Sequence, residues 1–180
     1  LSALADVADR AARHALPPIV PVPRDGDMPL SHAQQRLWYL AQMEDVSQSY
    51  HIPGALRLRG ELDTDALVRA LDRIMARHEV LRAHFAQVGE TPVQRFAPAD
   101  TGFALGMHDL RGEPDPEIAL KALMAEEFAA DFDLSAGPLV RGRLARLGDA
   151  EHALLVTFHH IVMDGWSFGL LVRELGALYD

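Results

Sequence analysis

The sequence of 180 residues contains no cysteine, which excludes a disulfide framework, a thiolate zinc site and a thiol nucleophile. It has no apolar run approaching the roughly 18 residues of a membrane span. Its N-terminus lacks the basic-then-apolar order of a signal peptide, so a soluble cytoplasmic protein is the expectation. Basic residues are outnumbered, 17 against 26 acidic, for a formal net charge of -9. That leaves no electrostatic footprint for nucleic acid or an anionic membrane. Also missing are a Gly-x-Ser-x-Gly elbow, a phosphate-cradling glycine loop and a His-Glu-x-x-His zinc pair. What is present is 49% hydrophobic residues, ordinary for a globular protein, in a chain long enough for one core or for a piece of a larger domain.

Hydrophobic periodicity divides the chain. Residues 1–16 (LSALADVADRAARHAL) place small apolar residues near helical spacing, with acids early and bases late, as a helix dipole prefers. Residues 17–29 hold five of the 11 prolines and read as an extended, semi-rigid linker. SHAQQRLWYLAQM predicts a helix with Ser31 as N-cap and Gln34 as its capping-box partner. GALRLRG reads as a strand. LDTDALVRALDRIMARHEVLR reads as a strong amphipathic helix capped by Asp63. A hairpin follows with its turn at Gly89 and Glu90, then a helix over 115–130. GPLVRGRLARL and HALLVTFHH are strands joined by the turn LGDAE, and a last helix begins after Gly165 with Ser167 near its cap. Alternating strands and helices predict an α/β fold, a mixed sheet flanked by helices.

The stretch FHHIVMDGWS (158–167) carries the chemistry. Side chains alternate along a strand, so His159 and His160 face opposite ways and cannot share a task. The same divergence argues against a metal held by His159, His160 and Asp164. Two readings remain open. In one, both histidines are satisfied core residues before an Asp-Gly turn. In the other, a strand-end imidazole, with an ordinary pKa near 6.5, handles a proton beside Gly165, where substrate can approach the backbone and the amides of a helix start. Asp164 is expected to be partly buried against an arginine, with Arg82 and Arg77 as candidates and Arg141 behind them.

HHIVMDGWS resembles the HHxxxDG motif of nonribosomal peptide synthetase condensation domains. SHAQQRLWYL (31–40), RHEVLRAHF (77–85) and FDLSAGPLVRGRL (132–144) are similar to further stretches of that family, in the same order. The resemblance implies a chloramphenicol-acetyltransferase-like lobe over residues 30–180, one half of a two-lobed domain whose active site lies between the lobes. It implies a preceding peptidyl carrier domain ending in the 1–16 helix. It also implies that His160 assists attack of an aminoacyl amine on a donor thioester, that His159 supports it, that Gly165 lies near the reacting carbonyl, and that Asp164 pairs with Arg82. No cofactor would be bound directly; both substrates would arrive on the phosphopantetheine arms of donor and acceptor carrier domains. A carrier-docking module without catalysis and an acyl-CoA-dependent acetyltransferase are the alternatives.

Overall fold

The computed structural model describes residues 18, 20–24, 26–43 and 47–180. The expected 1–16 helix lies outside these residues. Two sheets organise the rest. Strands β1 (Met28–Pro29), β4 (Thr91–Phe96) and β3 (Ala83–Val88) form a small antiparallel sheet in the order β1-β4-β3. Strands β2 (His51–Arg59), β7 (Glu151–His159), β6 (Val140–Gly148) and β5 (Leu105–Asp109) form the main sheet in the order β2-β7-β6-β5. It is mixed, since β5 runs parallel to β6 while the other pairs are antiparallel. The parallel pair is joined through helix α3 (Pro116–Ala129), as a parallel connection requires a crossover.

Helix α1 (His32–Ala41) starts in the expected capping box: the Gln34 amide donates to the Ser31 hydroxyl, and the Ser31 amide to the Gln34 side chain. Helix α2 (Thr64–Arg77) is capped by Asp63, which accepts from the Ala66 amide at 2.8 Å. Its stripe of Leu67, Ala70, Leu71, Ile74 and Met75 is buried. With Leu171 and Leu175 of α4 (Gly165–Tyr179), that stripe covers Leu144, Leu154, Val156 and Phe158 on one face of the sheet. The other face packs Ala145, Leu147, Ala153 and Leu155 under Leu120 and Leu123 of α3. Strand β7 is therefore covered on both sides, and eight of its nine residues are buried. Gly54 lets α4 lie close, because a Cβ there would overlap the Phe168 ring in the first turn of that helix.

The hairpin turn falls at Gly89, with φ +61°, where glycine escapes the Cβ penalty. Other boundaries move. Strand β2 begins three residues before GALRLRG, at His51, and β7 ends at His159, so His160 lies in the following turn. Residues of the proline-rich stretch touch the strands and turns that follow: Arg24 pairs with Glu79, Asp27 with Arg95, and Pro29 accepts from the Gln94 side chain. Met28 and Pro29 add a short strand to β4. Among the described residues no helix is long and apolar enough to cross a membrane.

Glu127, 1% exposed, is the most buried charge. Its two carboxylate oxygens accept from Nε of Arg141 and of Arg143, each at 2.7 Å, joining α3 to β6. Removing a buried carboxylate leaves its cations uncompensated. Glu127→Gln is expected to cost about 3 kcal/mol in urea denaturation, the lower end of such losses because both arginines keep some exposure.

Candidate active site

The turn after β7 is fixed amide by amide. The His160 amide donates to the Tyr50 carbonyl at 2.8 Å, the Ile161 amide to Nδ1 of His159 at 3.1 Å, and the Val162 amide to the His159 carbonyl at 3.1 Å. Ile161, Val162 and Met163 then bury their side chains in the core. His160 alone in this run is exposed. Its backbone is thus held on both sides while its ring is left in the open.

His159 is the opposite case, 0% exposed. Its ring sits among those of Tyr50, His51 and Phe132, at centroid distances of 6.4, 6.2 and 6.2 Å. Burial, followed by the neighbouring His51 and His160, pushes it down to about 4, so it is neutral at physiological pH. It stands behind the turn and does not reach open space.

The expected partnership of Asp164 is not formed. Asp164 is exposed and serves as the N-cap of α4, accepting from the Ser167 amide at 2.8 Å. Hydrogen bonds from Ser167, through its side chain and then its amide, hold this carboxyl below the usual carboxylate range. Ser167 is thus the donor to the cap and not the cap itself. Arg82 is spent on backbone carbonyls, donating to Met75, Ala97 and Ala76. Those bonds tie the end of α2 to the residue that follows β4. Arg77 pairs with Glu174, which also meets Nε2 of His78, so it links α2 to α4. Arg141 is committed to Glu127, to the carbonyls of Glu127, Ala130 and Asp131, and to the Phe132 ring, 3.9 Å from its centroid. An aspartate at a helix start is satisfied by the orphan amides there and needs no cation.

Gly165 follows, and a Cβ built on it would meet nothing within 4 Å. Its φ is not among the positive values, so the fold itself does not demand glycine here. Beside it Trp166 is 84% exposed, with Leu170 one turn on also exposed. A groove of about 210 Å³ runs between α4 and the end of α2, lined by His78, Val80, Met163 and Leu170 among others. No group of three or more acidic or histidine side chains able to hold a metal occurs among the described residues.

Tyr50, His51 and Phe132, which surround His159, were not singled out by the sequence. The missing signal is register: β2 pairs antiparallel with β7 so that His51 lies directly opposite His159.

The model of the Condensation domain family matches residues 24–180. The chain belongs to this family. It is 54% identical over 158 residues to malpibaldin synthetase of Mortierella alpina, covering 88% of this chain and 3% of that protein. To chondramide synthase cmdD of Chondromyces crocatus it is 44% identical over 161 residues, covering 88% of this chain and 4% of the other. Among solved structures, the starter condensation domain of rhizomide synthetase RzmA superposes with a TM-score of 0.79 at 25% identity, over 86% of this chain and 37% of that one. The X-domain from teicoplanin biosynthesis gives 0.79 at 35% identity, over 91% and 34%. The chain therefore spans a small fraction of its curated relatives and about a third of these solved domains. Condensation-domain structures share its mixed α/β architecture, as the sequence led us to expect.

Two measurements check the site. A histidine whose folded pKa is depressed gives stability that is present above the ordinary 6.5 and is lost as pH falls toward about 4, because only the unfolded chain takes the proton in that window. The full loss is on the order of 3 kcal/mol. Wild type should lose this much more stability than His159→Gln between pH 7 and pH 4, read by urea denaturation at each pH; equal slopes would place the His159 ring in water. Asp164→Ala should lower the melting temperature by about 2–4 °C, as expected for an N-cap in a chain of this size, with Asp164→Ser close to wild type.

Proposed function

We propose that this chain is the histidine-bearing lobe of an amide-forming condensation domain in a nonribosomal peptide synthetase. In this reading a carrier-bound aminoacyl amine attacks a carrier-bound aminoacyl or peptidyl thioester, and His160 assists the attack. The observation that carries the reading is the contrast at the turn: His160 is exposed, yet its own amide and the next two are pinned. Such a ring stands on a fixed backbone without being enclosed, which suits a group that meets a substrate from outside the lobe.

The chemistry asked of it is modest. An α-amine has an ordinary pKa near 8, so a fraction is neutral at physiological pH. An imidazole that accepts a hydrogen bond from the attacking nitrogen can orient its lone pair and take the proton as the C–N bond forms and the thiolate leaves. Gly165 fits the same reading, since its open Cβ position leaves the start of α4 approachable where a carbonyl oxygen would develop charge. The substrates would be delivered by donor and acceptor carrier domains, each through a phosphopantetheine arm, with no cofactor held by the lobe. The second lobe of the domain would supply the facing wall.

The test compares the chain alone with the complete two-lobed protein, each supplied with loaded carrier domains. Amide product is expected only from the latter. In it, His160→Ala should reduce turnover by about 100-fold or more, as for loss of a general acid–base group, with an unchanged melting curve. Wild-type turnover in that variant, or acetyl transfer from coenzyme A to a soluble amine by the chain alone, overturns the reading.

A further inference from the structure

Where β2 meets the end of β7, the hydrogen-bonding account does not close. Nδ1 of His159 accepts from the Ile161 amide at 3.1 Å, so in the neutral ring the hydrogen sits on Nε2. That nitrogen is buried and without a partner. His51, directly opposite in register, has Nδ1 3.1 Å from the Phe128 carbonyl oxygen. A carbonyl can only accept, so Nδ1 of His51 carries the hydrogen and its Nε2 is a bare acceptor in the neutral ring. It too is buried and unpartnered. On the same face, two residues back along β7, Oγ1 of Thr157 is buried with no partner. One unmet donor and one unmet acceptor thus share a corner roofed by Phe132, whose ring meets both imidazoles edge-on, and a hydroxyl that can be either follows on the same strand face. Buried polar atoms are nearly always paired, with ordered water where protein fails. The two imidazole centroids are 6.2 Å apart, a separation suited to one bridging molecule.

We propose that these atoms share one buried water, and that through it His51 is a positioning residue for His160. The water accepts from Nε2–H of His159, donates to Nε2 of His51, and gives its second hydrogen to Thr157. Its effect is to fix the tautomer of His159. With the hydrogen kept on Nε2, Nδ1 stays free to accept the Ile161 amide, and the turn that displays His160 keeps its middle anchor. His51 is itself anchored to the last turn of α3 through the Phe128 carbonyl, which the helix leaves unsatisfied. A backbone carbonyl of α3 and side chains of β2 and β7 therefore converge on one peptide bond of the motif loop. The link to catalysis rests on the function proposed above; the tautomers and the water do not.

The test uses the chain labelled with ¹⁵N-histidine. Long-range proton–nitrogen correlation is expected to report Nε2–H for His159 and Nδ1–H for His51, with magnetisation passing from the His159 Nε2–H to a long-lived water. The same tautomer in both rings, or no bound water at His159, overturns the proposal. His51→Leu, which removes donor and acceptor, should speed hydrogen exchange of the Ile161 amide by about tenfold or more, whereas His51→Gln, which keeps an acceptor near the Nε2 position, should change it little. Exchange unchanged in His51→Leu, or raised equally in both variants, removes His51 from the positioning role. A two-lobed protein that makes no amide while these signatures hold would overturn the function proposed above and leave this inference standing.

Discussion

The buried imidazole of His159 is the constraint on which the motif loop depends. It lies at the end of a strand covered on both faces, so its ring cannot swing out without opening the sheet. Because it accepts the Ile161 amide, a side chain takes over a bond that the strand ladder can no longer supply once β7 ends. Adjacent histidines thus divide the work where the strand gives way to the turn. One ring is spent inside on the backbone, and the next is left outside with that backbone held under it. A neutral ring is essential to this arrangement, since protonation of Nδ1 would remove the acceptor, and burial is what keeps the ring neutral.

The end of α3 supports the same corner. A helix leaves its final carbonyls unsatisfied, and here they are met by side chains from elsewhere in the chain. Arg141 takes that of Glu127 and those of Ala130 and Asp131 just past the helix, His51 that of Phe128, and Gln48 that of Ala129. The guanidinium of Arg141 also stacks on Phe132, which closes over the two imidazoles. Glu127 in turn fixes Arg141. The polar core on this side of the sheet is therefore one connected support reaching from the middle of β6 to the motif turn, a site resting on secondary structure at each step.

Much of this was legible in the sequence where the signal is local. Helix α2 announces itself by period and cap, and the capping box at Ser31, the hairpin glycine and the polarity of the HH pair follow from residues close together in the chain. What could not be read depends on pairing at a distance. Strand β5 contains Gly106 and Met107 with little apolar alternation, and it exists because β6 offers a parallel edge. Strand β1 has two residues and is a strand only by virtue of β4. The arginine expected beside Asp164 fails for a related reason. Spacing along the chain says that a carboxylate stands near a helix start, but not that the helix amides claim it before any cation can. The corner of Tyr50, His51 and Phe132 requires knowing which residue of β2 faces which residue of β7.

Strand β2 occupies one flank of the main sheet among the described residues, and nine residues of strand with nothing bonded outside would form a template for stray chains. Pro53 interrupts that row by withholding an amide hydrogen. The strand that sets His51 opposite His159 thus also carries, along its open side, a proline that makes it a poorer template for a stray chain.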